Sequence, residues 1–240
     1  MAHGLLVTRM SSGPHSEDPD RPETVQAMQI ALHVPKTEPP RRTDLLAASA
    51  RAVLRVCLDE RVATDPAWRE SMENWYGHLI RKVARRARNK QWTDVQDLPG
   101  VTVAVDGAEA RAFRPSAVCQ VPPPVRKLQI RGTELPQDVP GEPDPALPTI
   151  LIDAGLRMSL GKAAAQVGHA SMLLAARQDL DLVRDWAERD FALNVREVPS
   201  PVFARHAAEP EAVRVRDAGF TEVAPDSLTV CALPALPQGN

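Results

Sequence analysis

The sequence predicts an α/β protein of two tandem three-layer α/β modules, each a mixed sheet of roughly four strands flanked by helices. Three observations predict this. Short apolar runs suited to strands alternate with longer Ala-rich runs of helical spacing through the 240 residues. Both halves follow the same order: strand, long Ala-rich helix, Trp-containing helix, strand segment, and a terminal strand ending in Pro. A stretch holding Pro136, Pro140, Pro143, Pro145 and Pro148 separates them as a stiff boundary.

Taken in order, residues 1–24 are polar and Pro-rich, with little to bury, and are expected to be disordered. The first module is bounded at 25–135. Residues 29–34 read as a short apolar strand. The run 43–58 places Leu46, Ala50, Val53 and Cys57 at helical spacing, with Thr43 as N-cap. Residues 66–87 read as a second helix. Strands at 101–105 and 108–113 meet at Asp106-Gly107, a hairpin turn signal, and a short strand is expected at 127–131. After the linker at 136–148, the second module at 149–240 supplies a strand at 149–154 and helices at 161–176 and 180–190. A strand at 192–198, a helix or turn at 210–218 and a last strand at 227–233 complete it. Setting Thr102 on Thr221 puts Gly100 on Gly219 and Pro115 on Pro234 without a gap, as a diverged duplication would.

Composition narrows the function classes. Hydrophobic residues at 43% and charged residues at 25% fit a soluble globular protein, and no apolar run approaches the roughly 18 residues of a membrane span. Met1 to Pro14 lacks the apolar core and cleavage site of a secretory signal, so the expected location is the cytoplasm. Cys57, Cys119 and Cys231 form no CxxC or Cys/His cluster and read as small core residues, so neither a metal site nor a disulfide framework is expected. A formal charge of −2 excludes bulk affinity for nucleic acid, so any such binding needs a local patch. The cations are nearly all Arg. Lysines stand only at 36, 82, 90, 127 and 162, and Lys162 is the one lysine after Leu128. An ammonium kept where Arg is the habit suggests a need for a compact charge of tunable pKa.

Lys162 lies in the first turn of the helix that follows a strand, with Gly161 permitting a tight turn before it. A cation is mildly unfavourable beside the positive end of a helix, and together they make an anion or oxyanion site. Lys162, Gln166 and His169 follow i, i+4, i+7 spacing and form one polar stripe beside the apolar stripe of Ala163, Val167, Ala170 and Leu174. Taken alone, His169 reads equally as a partly buried histidine bonding a carbonyl. Asp217, before Ala218-Gly219, reads equally as an Asx-turn residue.

The run Leu160-Gly-Lys-Ala-Ala-Ala-Gln-Val-Gly-His-Ala170, with Asp217-Ala-Gly-x-Thr221 and a closing Ser227-x-Thr-Val-x-Ala232 strand, resembles the second structural class of peptidyl-tRNA hydrolase. The resemblance spans about residues 149–236. It implies a four-stranded mixed sheet flanked by helices and cofactor-independent hydrolysis of the ester joining a peptide to the tRNA 3′ ribose. It places catalytic roles on Lys162, His169, Asp217 and Thr221, and substrate contacts on Gly161, Gln166 and Ser227. In the reading that follows, Asp217 with Thr221 holds the water, Lys162 stabilises the oxyanion, and His169 bonds substrate or shapes the pocket. The sequence departs from the family at Leu160, Phe220 and Glu222, and in the strand Ala192-Leu-Asn-Val-Arg-Glu197, where basic residues for tRNA phosphates are missing.

Arg81, Lys82, Arg85, Arg86, Arg88 and Lys90 follow without one acid, between Trp75 and Trp92. On a helix they form a basic ridge suited to phosphates, so Arg81, Lys82, Arg85 and Arg88 are expected to bind tRNA; a solvated helix face is the other reading. In the repeat, Asp44 faces Lys162, Ala48 faces Gln166, Arg51 faces His169 and Leu98 faces Asp217, which makes the first half a catalytically dead copy. Members of the resembled family pair as homodimers, so the tandem is expected to imitate that dimer within one chain, with a homodimer left open. A non-catalytic tRNA- or RNA-binding protein and a tRNA-dependent acyl transferase are the alternative functions.

Overall fold

A computed structural model describes residues 2–10, 17–132, 134–217 and 222–235. The helices are α1 (Ala2–Met10), α2 (Arg42–Cys57), α3 (Arg61–Thr64), α4 (Pro66–Tyr76), α5 (Lys90–Asp94), α6 (Pro123–Arg126), α7 (Leu160–Arg177), α8 (Leu180–Glu188) and α9 (Ser200–Ala207). The strands are β1 (Gln26–His33), β2 (Arg81–Ala87), β3 (Gly100–Val105), β4 (Ala108–Phe113), β5 (Ser116–Ala117), β6 (Thr149–Asp153), β7 (Asn194–Val198), β8 (Val213–Arg216) and β9 (Leu228–Leu233).

Two mixed sheets carry the modules. The first has the order β2-β1-β4-β3, with β5 also on β1, and the second has the order β7-β6-β9-β8. In each, the first strand runs parallel to one neighbour and antiparallel to the other. The registers correspond as well: Ile30 stands between Ala84 and Ala112, and Ile150 between Val195 and Ala232. The Trp75 indole N–H donates to the Arg81 carbonyl at 3.0 Å, and the Trp186 indole N–H donates to the Ala192 carbonyl at 2.7 Å, six residues along in each case. Alternation divides each central strand between two faces. Met28, Ile30 and Leu32, like Ile150 and Ile152, join one apolar core that continues from sheet to sheet. Ala31 and Leu151 face smaller outer clusters beneath Trp92 and Val125 and beneath Phe203 and Ala207. The layers are therefore outer helices, sheet, α2 with α7, sheet, outer helix.

The helices α2 and α7 pack directly together. A Cβ added to Gly168 would lie 2.7 Å from Val53 Cγ2, and Ser171 Oγ donates to the Ala50 carbonyl at 2.9 Å. In the repeat register Val53 corresponds to Ser171 and Ala50 to Gly168, so one contact is made in both directions, as at an isologous interface. Arg42 is buried where the modules meet and donates to both Glu197 carboxylate oxygens, at 2.9 and 3.0 Å, and to the Met158 carbonyl at 3.0 Å.

Several expectations require correction. The helix read over 66–87 ends at Tyr76, where the Gly77 N–H closes on the Glu73 carbonyl, and 81–87 is a strand parallel to β1. The segment 127–131 is no strand: among the described residues its β-pairing is the one bridge between Arg86 and Gln129. Within 210–218 the structure has strand β8, because Val213 and Val215 turn inward while Arg214 and Arg216 stay out. Thr43 is not an N-cap: Asp138, from the Pro-rich segment, accepts from its N–H and hydroxyl, each at 2.9 Å. Residues 1–24 were expected to be disordered, yet α1 buries Leu6, His3 Nε2 contacts the Ala175 carbonyl at 2.9 Å, and Glu17 pairs with Arg81 at 3.0 Å. Cys57 and Cys231 are buried, but Cys119 is exposed.

Candidate functional site

Helix α7 begins where the Ser159 hydroxyl, as N-cap, accepts from the Lys162 N–H at 3.2 Å, and the Lys162 side chain reaches Asp217. Gly161 is thus a helical residue rather than a turn, and a Cβ there would meet Ala84 and the Ile130 carbonyl at ordinary contact distances near 3.8 Å. The Ser159 N–H and hydroxyl also donate to Glu222, at 2.9 and 2.6 Å, which ties the last loop to the helix start.

The stripe on α7 meets the end of β8. Lys162 Nζ donates to Asp217 Oδ1, and Gln166 Nε2 donates to the same oxygen at 2.9 Å. Asp217 is held in place through its backbone: its N–H donates to the Ser227 carbonyl at 2.9 Å, and its carbonyl accepts from Asp226 at 2.8 Å. Thr229 Oγ1 lies 3.0 Å from Gln166 Oε1 and 3.2 Å from the Val215 carbonyl, which sets the Gln166 amide so that its NH2 faces Asp217. The Lys162 and Asp217 side chains retain only 12% and 9% of their exposure, so this pair acts with little water screening.

Lys162, Gln166 and Asp217, with Ser159 and Glu222, line a cavity of about 380 Å³. Its other wall belongs to the first module: Leu79, Ile80, Arg81, Lys82, Val83, Ala84 and Ile130. Lys82 Nζ lies 3.1 Å from His169 Nδ1, the tautomer with its proton on Nε2 accepting from it, and 4.9 Å from the centroid of the Trp75 ring. Burial pushes Lys82 down to about 7. Burial, with the Lys82 charge second, holds His169 well below the usual imidazole range, so the ring is neutral at physiological pH.

The expected residues are distributed as follows. Lys162, Gln166, His169 and Asp217 line the cavity together with Gly161. Ser227 contributes its carbonyl, as the acceptor for Asp217. Thr221 lies outside the described residues. The basic ridge on a helix is corrected, since a strand turns alternate residues to opposite faces. Arg81 pairs with Glu17 and reaches the Gln26 carbonyl at 3.3 Å. Arg85 donates to Gln29 at 2.7 Å and to the Leu128 carbonyl at 3.3 Å, and Arg88 donates to the Val34 carbonyl at 3.0 Å. Arg85 and Arg88 brace their own module, Arg81 ties it to the N-terminal segment at the cavity wall, and Lys82 is turned inward to the cavity. The sequence reading missed Thr229, Glu222 and Ser159 as supports. Thr229 was open to discovery, as the inward polar residue of an apolar strand.

Among known proteins, the family model described as Peptidyl-tRNA hydrolase PTH2 matches residues 148–239. The match begins one residue before β6, ends beyond β9 and encloses Lys162, Gln166, His169 and Asp217. The second α/β module is therefore the part of the chain that is similar to the peptidyl-tRNA hydrolase PTH2 family.

Proposed function

We propose that the second module hydrolyses the ester between a peptidyl, or N-substituted aminoacyl, group and tRNA, which returns the tRNA to translation in the cytoplasm. The observation that carries this reading is the Asp217 carboxylate, held by Lys162 and Gln166 on the wall of the cavity. An ionised carboxylate positions and deprotonates the attacking water, and an ammonium beside it neutralises the oxyanion as the ester carbonyl becomes tetrahedral. Low exposure strengthens both effects. Thr221 is assigned to the water with Asp217, and neutral His169 to the wall against which the acyl-adenosine end rests. Release of peptide from N-acetylaminoacyl-tRNA by the wild type, lost in both Lys162→Ala and Asp217→Ala, is the expected result. Unchanged release in both variants overturns the assignment, and an amide product with an added amine would indicate acyl transfer instead.

The tandem arrangement is read as a dimer made within one chain, with residues 25–135 as a degenerate module, 136–148 as linker and 149–240 as the active module. The reciprocal Val53–Gly168 and Ala50–Ser171 contacts support it. Light scattering is expected to give the mass of a single 26.2 kDa chain.

A further inference from the structure

Among the described residues, four lysine or arginine side chains line the cavity, and three of them have a carboxylate partner. Arg81 pairs with Glu17, Lys162 with Asp217 and Arg216 with Asp226. Lys82 has none among the described residues; it faces His169 and the Trp75 ring. A partly buried amine with no counter-charge is costly to hold as ammonium, and such a group beside a reaction site is a candidate for binding an anion that supplies the missing charge. The corresponding place across the α2–α7 contact is built differently. There Arg51, the counterpart of His169, and Arg55 both pair with Asp190, and Leu193 takes the place of Lys82.

We propose that Lys82, a residue of the first module, is the anchor for a phosphate of the substrate's terminal nucleotide at the cavity of the second module. The geometry sets the distance. Lys162 and His169 are seven residues apart on α7, about 10 Å at 1.5 Å per residue. An ester carbonyl at the Lys162 end therefore leaves the nucleotide's 5′ side within reach of Lys82. The nucleotide assignment rests on the hydrolase reading above; the anion site does not.

Holding a phosphate requires Lys82 as ammonium, so binding above its pKa of about 7 draws in a proton. Among the described residues, the titratable groups against it are His169 on α7, the Cys57 thiol on α2 and the Tyr76 hydroxyl beside that thiol on α4, and Arg81, Lys162 and Asp217 line the same cavity. β1 presents uncharged Met28 in register with it. At pH 8 the imidazole is neutral and the thiol, pushed up to about 11, keeps its proton, so Lys82 is the group that gains one.

The test is calorimetry at pH 8 in two buffers of different ionisation heat, with AMP, adenosine and inorganic phosphate as probes on the full chain. The wild type is expected to bind AMP at least about tenfold more tightly than adenosine, as a charge-assisted contact implies, with uptake of close to one proton. Lys82→Met is expected to lose the preference and the uptake. Lys82→Arg, permanently charged, is expected to keep the preference without the uptake, and it decides the matter if the Met variant does not fold. A preference that survives Lys82→Met, or AMP bound no better than adenosine up to millimolar concentration, overturns the proposal. Inorganic phosphate bound as tightly as AMP overturns the nucleotide assignment. If peptide release is absent but the Lys82-dependent preference is present, only the hydrolase reading fails; in the reverse case only the anchor fails.

Discussion

Val53 of α2 and Gly168 of α7 touch so closely that the glycine leaves no room for a side chain: a Cβ there would lie 2.7 Å from one valine methyl and 3.2 Å from the valine Cβ. The approach of the two central helices depends on that missing carbon. Gly168→Leu is expected to force the helices apart and to destabilise the fold by about 1–3 kcal/mol, the usual range for an overpacked core. Urea denaturation followed by circular dichroism measures it. Stability at the wild-type level would mean that the modules do not depend on this contact.

The Lys162–Asp217 pair has a structural and a chemical role, and two variants separate them. Asp217→Asn leaves a poorly hydrated ammonium without its counter-charge, and breaking such a pair is expected to cost about 3–5 kcal/mol. Adding Lys162→Met should recover much of that stability, because neither charge then remains. Peptide release in single-turnover assays should stay down by about 10²- to 10⁴-fold in both, the scale for losing the group that positions and deprotonates the water.

Arg42 and Glu197 join the modules through a two-armed ion pair whose side chains are 3% and 9% exposed. Arg42→Met is expected to cost about 3–5 kcal/mol by leaving Glu197 buried and unpaired. Arg42→Met with Glu197→Leu is expected to be close to wild type in denaturation, since a well-packed apolar pair can replace a buried ionic one. A double variant as unstable as the single one would show that the Met158 carbonyl contact matters more.

Stability should depend on pH through Lys82. Its folded pKa is depressed, so between about pH 7 and the ordinary lysine value the unfolded chain binds the additional proton. Stability from this group therefore rises with pH across that window and is lowest below pH 7. Lys82→Met should be stabilised relative to wild type at pH 6, by a margin that shrinks towards pH 10 in thermal melts. His169 adds the same sign at lower pH: with its folded pKa well below the usual value, stability falls as pH drops through about 6.5.

The parts of the fold that were legible in the sequence are those set by local chemistry. Asp106 and Gly107 both have positive φ, at 46° and 81°, as the hairpin turn requires, and Ala-rich spacing marks α2 and α7. The β2 strand was not legible. In Arg-Lys-Val-Ala-Arg-Arg-Ala only Val83 is strongly apolar, and the strand forms because β1 offers it a parallel edge, against which Ala84 and Ala87 are buried. Helix α1 was missed because its apolar content is little more than the Leu5-Leu6-Val7 patch. At the site, Lys162, Gln166 and His169 share a face by spacing alone. The inward turn of Lys82 depends on how one module docks on the other, which local pattern does not encode.

The unlike pairs on the two sides of the α2–α7 contact have an evolutionary consequence. In an assembly of two identical chains every amino-acid change is made twice, once on each side, so a lysine placed at one pocket is imposed on its mirror image as well. Here the two sides are separate codons. Arg51 and Asp190 lock one side with charge, while His169 and Lys82 leave a cavity on the other. A chain so arranged is free to improve one pocket without disturbing its twin.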